Sequence, residues 1–267
     1  MTETYTVRTT PYRETDVNAI HEDRLAQRVG FDAGPVPGVL LFGYLTYLPV
    51  KARGEQWLTQ YRAEVRFLKP AYIGQTIDCT YAEADGGLHT QCANADGVVL
   101  ATLESEPARS DPNPLSALEA VGGATERPAL DWAALVLNEP ASVHTWLADA
   151  AGQARHLEEL GDGHDLYGGV AGCVHPFWIM KEGNAAFKNA YVLPPTIHVG
   201  SELTFHTPLR VGEQIETRLV PMAKWERKGH KFVTLYISYH VQDEVRVEMA
   251  HTFIINIADT QQEAGGR

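Results

Sequence analysis

The sequence predicts an α+β protein built twice over from one plan, an apolar helix wrapped by an antiparallel sheet. Three observations carry this. The stretch VLLFGYLTYLPV after Gly38 is apolar nearly all round, which suits a helix enclosed by other structure better than one lying on a surface. Strand-like runs are punctuated by Asp85-Gly86-Gly87 and Asp96-Gly97, strong hairpin turns. The second half of the chain then repeats landmarks of the first at one constant spacing.

The elements follow in order. Residues 5–12 are β-branched and aromatic, a strand that stops at Pro11. The heptapeptide Thr15-Asp16-Val17-Asn18-Ala19-Ile20-His21 comes next and brings an acid, an amide and an imidazole close together. HEDRLAQRVGFDAGPVPG reads as a short polar helix ending near Gly30, then an irregular Gly/Pro stretch. The apolar helix, about ten residues, is far short of the roughly 20 that cross a bilayer. Arg62–Phe67 alternates as a half-buried strand, and Lys69-Pro70 and Gly74 bend the chain into a strand at 75–83. Residues 106–130 are rich in Pro, Ser, Gly and charge. A linker at 106–137 therefore separates a first repeat, 1–105, from a second, 138–258, with a disordered tail at 259–267. Lys231–Val241 and Arg246–Ile257 are the last strands, joined by a turn at Gln242-Asp243-Glu244.

The repeat is read from matched landmarks. Phe67-Leu68-Lys69-Pro70 with Gly74-Gln75 corresponds to Phe205-His206-Thr207-Pro208 with Gly212-Glu213, and 205 − 67 = 138. The same 138 carries Glu64-Val65 onto Glu202-Leu203, Ile77 onto Ile215, Gly34 onto Gly172, and Pro37-Gly38 onto His175-Pro176. One gapless spacing through helix start, strand and bend marks a tandem duplication. A buried helix in a curved antiparallel sheet, present twice, looks like the double hotdog fold, the two copies pairing sheets edge to edge and so removing exposed edges.

Composition excludes several functions. The net charge of −12 argues against nucleic acid, whose phosphates require a basic face. Lys51, Arg53, Arg66 and Lys69 are candidates for a small anionic ligand, although solvated surface is the simpler role for each. Three cysteines, Cys79, Cys92 and Cys173, lack CxxC spacing and fit a reduced, cytoplasmic protein. The N-terminus has neither a basic leader nor an apolar signal core. The histidines are scattered without ligand spacing, so neither a metal nor another cofactor is expected.

The heptapeptide is where chemistry is expected. Adding 138 to Asp16 and His21 gives Ala154 and Glu159, so the second repeat lacks both groups and is left to shape a pocket. Asp16-x-Asn18-x-Ile20-His21, followed by GFDAGPVPG and the apolar helix, resembles the MaoC-like dehydratases and (R)-specific enoyl-CoA hydratases, whose signature is D-x-N-P-[LIV]-H ahead of a glycine-started helix. The chain differs at Ala19, where the family has proline, and at Thr15, where it usually has glycine. The resemblance implies a hydro-lyase acting on acyl-CoA or acyl-carrier thioesters, with Asp16 and His21 holding the reacting water. It implies a Gly38 N–H at the helix start that stabilises the thioester oxyanion, and Asn18, Val39 and His175 as substrate-binding residues. It also implies a homodimer of such chains. Simpler roles stand beside these. Asn18 is a good N-cap, Asp16 a turn residue, His21 a surface helix residue and Gly38 a close-packing glycine. His175 is a helix cap, while His251 and Trp178 are core. Two other functions compete. Tyr12-x-Glu14-Thr15-Asp16 resembles a segment of hotdog acyl-CoA thioesterases, and a non-catalytic acyl-binding subunit would keep the fold with a partial site.

Overall fold

The computed structural model describes residues 3–11, 23, 27, 32–84, 86–107, 111–119 and 127–256. The heptapeptide lies outside them. All ten strands form one antiparallel sheet. They are β1 (Glu3–Arg8), β2 (Tyr61–Phe67), β3 (Thr76–Ala84), β4 (Gly87–Asn94), β5 (Val99–Pro107), β6 (Ser142–Leu147), β7 (Ile197–Phe205), β8 (Gln214–Arg227), β9 (His230–Val241) and β10 (Glu244–Asn256). The α-helices whose bounds lie among the described residues are α1 (Gly38–Arg53), a single turn α2 (Trp57–Gln60), α3 (Ala150–Leu160) and α4 (Pro176–Ala190).

The strand order β1-β3-β4-β5-β2-β7-β10-β9-β8-β6 is two copies of one five-strand order meeting back to back. The duplication sets the register of that junction. Strands β2 and β7 pair antiparallel with Glu64 opposite Glu202, and 202 − 64 = 138, so equivalent residues face each other across the local two-fold. The spacing also holds between the starts of α1 and α4 (176 − 38) and of β3 and β8 (214 − 76). It ends there because β8 and β9 have 14 and 12 residues where β3 and β4 have 9 and 8, a longer hairpin in the second repeat. Among the described residues, β1 and β6 are the sheet edges.

Helix α1 is 16 residues long, and the residues from Val39 to Val50 are buried except Tyr47. It is longer than the sequence suggests, because it continues past Val50 to Arg53 before Gly54 ends it with φ 57°, and it runs through Pro49. Proline inside a helix removes one backbone bond. Here the residues flanking it, Leu48 and Val50, are each 2% exposed, and enclosure by the sheet keeps the helix going. A single apolar core runs through both repeats. Leu160 and Phe177 from the second repeat reach Gly43 of α1, leaving no room there for a side chain.

Helix α3 has no counterpart in the sequence reading. Asp149 caps it by accepting the Gly152 N–H at 2.6 Å, and Gly161 ends it in the left-handed conformation. The described parts of the stretch between β5 and β6 pack on the second repeat. The Asn113 N–H donates to Glu248 at 2.8 Å, Lys224 donates to the carbonyls of Trp132 and Leu135, and Leu130 and Leu135 are buried. Tyr236, Ser238 and His240, on the outer side of β9, are buried in consequence.

Candidate active site

The start of α1 is the best-defined part of the site. Pro37 precedes the helix with extended backbone and gives it no side-chain cap. The first-turn N–H groups of Gly38 and Val39 have no acceptor among the described residues. Such groups, with the helix dipole behind them, are a ready place for developing negative charge. Gly38 is half-buried, whereas the Val39 side chain is in the core, so Val39 can offer a ligand only its backbone. A Cβ on Gly38 would sit 3.1 Å from the Phe67 ring. Packing against that ring therefore favours glycine here.

The approach to the helix is pinned from both sides. The Val36 N–H donates to the Ala71 carbonyl at 2.8 Å, and the Asp32 N–H donates to the Tyr72 hydroxyl. Asp23, two residues after His21 in sequence, accepts the Gly34 N–H at 2.7 Å. Asp16, Asn18 and His21 themselves lie outside the described residues.

The equivalent place in the second repeat is closed. Pro176 stands where Gly38 does and has no N–H. His175, with 0% exposure, caps α4 by accepting the Phe177 N–H on Nδ1 at 3.0 Å. Its Nε2–H donates to Asp162 at 3.2 Å. Burial lowers the imidazole's pKa and keeps it neutral. Burial alone would raise the Asp162 carboxyl, but the bonds from His175 and from the His164 N–H outweigh it and hold the group below its usual range. A neutral ring carrying its proton on Nε2 satisfies both partners. With both nitrogens committed, His175 has no atom left for a substrate, and the substrate-binding role expected of it gives way to helix capping. Glu159, which replaces His21 in the repeat, is buried beside His156.

Three of the four cations considered for a phosphate are already paired: Lys51 with Glu3, Arg53 with Glu83 at 2.8 Å, and Arg66 with Glu64 at 2.7 Å. Lys69 is exposed. Among the described residues no group of His, Cys, Asp and Glu is arranged to hold a metal ion, and no helix is long and apolar enough to cross a membrane.

One cluster was missed by the sequence reading. Ser201, His251, Asn184 and His198 form a continuous hydrogen-bonded set, with Ser201 Oγ 2.6 Å from His251 Nδ1. His251 is fully buried, as a core histidine would be, but its partners come from two other elements. No periodicity signals such a set, since Asn184, Ser201 and His251 are brought together only by the wrapping of β7 and β10 around α4.

A helix enclosed by an antiparallel sheet, duplicated in one chain with the two β2-type strands joined, defines a double hotdog protein. The comparisons with solved structures agree on the fold. A candidate MaoC domain protein dehydratase from Chloroflexus aurantiacus matches with a TM-score of 0.66 at 12% identity, over 96% of this chain and 95% of that one. A conserved double-hotdog protein from Mycobacterium tuberculosis, described as essential for survival during infection, matches at 0.59 and 13% identity, over 94% and 95%. A candidate oleoyl thioesterase from Lactobacillus plantarum matches at 0.54 and 10% identity, over 96% and 97%. No family model matches the chain, and no curated protein does. The chain has a double-hotdog fold.

Proposed function

We propose that the chain is a hydro-lyase acting on acyl thioesters, catalysing reversible hydration of a trans-2-enoyl-CoA and dehydration of the 3-hydroxyacyl-CoA. The observation that carries this reading is the asymmetry of the two helix starts. The one that follows the D-x-N-x-I-H stretch has a glycine and first-turn N–H groups without an acceptor among the described residues, and the one that follows Ala154 and Glu159 is sealed by His175 and Pro176. Helix start and acid/base stretch are thus retained together and lost together. In this reading the first repeat, 1–105, carries the chemistry and the second, 138–258, shapes the pocket.

Asp16 and His21 hold one water between them. In hydration the water's oxygen bonds to Cβ of the enoyl group, one of its protons passes to the dyad, and Cα receives a proton. Two positioned acid/base groups on one side of the substrate serve both transfers. Negative charge gathers meanwhile on the thioester oxygen, and the Gly38 N–H, with Val39 beside it, stabilises it there. Asn18 holds the loop that carries the dyad. A second reading, hotdog thioesterase, is favoured by Tyr12-x-Glu14-Thr15-Asp16 and is equally compatible with the fold, which hosts several chemistries.

The test is a panel of short, long and branched acyl-CoAs. Loss of the conjugated enoyl absorbance without thiol release is expected, with Asp16→Asn and His21→Ala each lowering the rate by about 100-fold or more. Thiol release in place of hydration would assign the thioesterase. Neither reaction on any chain would leave an acyl-binding protein and sink the catalytic reading.

A further inference from the structure

The second repeat lacks the acid/base stretch but carries polar chemistry of its own beside the open helix start. Ser201 on β7 and His251 on β10 face each other in register. The directions of the hydrogen bonds follow from the atoms. Asn184 Oδ1 can only accept, so His251 Nε2, 3.0 Å away, bears the proton. His251 Nδ1 is then a lone pair and accepts the Ser201 hydroxyl proton. Having given its proton, Ser201 Oγ accepts from His198 Nε2–H at 2.8 Å. The chain of bonds ends on His198 Nδ1, a bare acceptor that is buried and has no donor among the described residues.

Two facts place this acceptor at the site. The His198 ring packs 4.6 Å from the Phe67 ring, and Phe67 is the residue that fills the space beside Gly38. The acceptor thus belongs to a ring packed edge-to-face against the wall of the open helix start, contributed by the other repeat. The set is also peculiar to the second repeat, because subtracting 138 from 184, 198 and 201 gives Thr46, Gln60 and Ala63. Thr46 simply bonds its own helix at Gly43.

We infer that His198 Nδ1 accepts a hydrogen bond from an uncharged donor on the bound thioester, a hydroxyl on the acyl chain or an N–H or hydroxyl of the pantetheine arm, and that His198 is a specificity-determining residue. The inference rests on the acyl-thioester reading above. A buried acceptor with no donor is costly, so a ligand donor gains more there than it would in water. A ligand carbonyl at the same point would set lone pair against lone pair. Burial also lowers the pKa of His198 to about 3, so the ring does not relieve itself by taking up a proton near neutrality. Ser201, His251 and Asn184 have the connectivity of a nucleophile, a base and an orienting group. However, Ser201 sits mid-strand with 4% exposure, and burial and the neighbouring His198 lower the pKa of His251, which favours binding over attack.

Calorimetry with unreactive saturated acyl-CoAs separates this inference from the catalytic reading. The ligands are plain chains and chains bearing one hydroxyl at successive positions beyond the third carbon. The wild type should bind one hydroxylated chain about fivefold tighter than its plain counterpart, and His198→Phe, which keeps an aromatic ring against Phe67, should abolish the preference. Ser201→Ala removes the acceptor of His198 Nε2–H, frees the ring to carry its proton on Nδ1, and should turn the preference toward the matching ketone. If the donor lies on the pantetheine arm, His198→Phe will weaken plain and hydroxylated CoA thioesters alike; N-acetylcysteamine thioesters will share the loss when the donor is the cysteamine amide N–H, which they retain, and escape it when the donor lies further along the arm. Wild-type and His198→Phe proteins that bind every thioester equally overturn the inference and leave the catalytic reading standing. A wild type that binds none removes both.

Discussion

Acidification should destabilise this protein through His198, by an amount that can be worked out. Burial pushes the imidazole's pKa to about 3, while an unfolded histidine titrates near 6.5. The unfolded chain therefore takes up the proton first as pH falls. Stability is full above about pH 6.5, drains through the window below it, and stops falling near pH 3. At about pH 5 the unfolded state has gained roughly 2 kcal/mol from this one group, and the whole shift corresponds to about 5 kcal/mol. His251 adds to the trend, because burial and the neighbouring His198 push its pKa down as well. Carboxylates elsewhere lose stability over the same range, so the informative quantity is a difference. Urea unfolding of wild type and His198→Phe, at about pH 7.5 and pH 5, should show the gap between them moving by about 2 kcal/mol in favour of the variant. His198→Gln should show the same movement, since it too removes the titrating group. Parallel stabilities over that range would mean that His198 is protonated in the folded protein, and would refute the account of its bonding given above.

Three other outcomes are expected. Gly38→Ala places a Cβ 3.1 Å from the Phe67 ring; it should cost about 1 kcal/mol in urea denaturation through overpacking and lower hydration of enoyl-CoA far more than that loss explains. His175→Ala leaves Asp162 charged, 6% exposed and short of a donor, so unfolding experiments should show a loss of about 3 kcal/mol, with activity per folded molecule retained. In the β9–β10 hairpin both central residues, Gln242 and Asp243, have left-handed backbones, φ 51° and 66°. The pair Gln242→Asn with Asp243→Gly should raise stability by about 1 kcal/mol, read as a higher melting temperature at unchanged activity.

Much of the architecture was legible in the sequence because duplication writes it twice. The spacing of 138 that matches Glu64 to Glu202 in the sequence is also the register of the strand pair that joins the repeats, although only the fold shows that these two strands meet. The hairpins at Gly86 and Gly97 were legible for a local reason, since both glycines take the left-handed conformation that such turns require. The full length of α1 was not. Its last turn carries Lys51 and Arg53, which lie beyond the apolar run from which the helix is read. Helix α3 was hidden because its apolar face is interrupted by Gln153, His156 and Glu159. These polar side chains are buried, and only the folded chain supplies neighbours such as the carbonyls of Tyr167 and Cys173, to which Gln153 donates.

The sequence by itself determined that one helix start is a glycine preceded by an acid, an amide and an imidazole, and that its counterpart is His175-Pro176. Those are facts of residue type, and they distinguish the two repeats without any geometry. Only the tertiary structure decided what the difference amounts to. His175 turns inward to cap α4 and to meet Asp162, the N–H groups of Gly38 and Val39 have no acceptor among the described residues, and His198 from the other repeat packs on the Phe67 ring beside Gly38. Contacts of this kind join residues more than a hundred positions apart, and the side-chain pattern of a single strand or helix carries no trace of them.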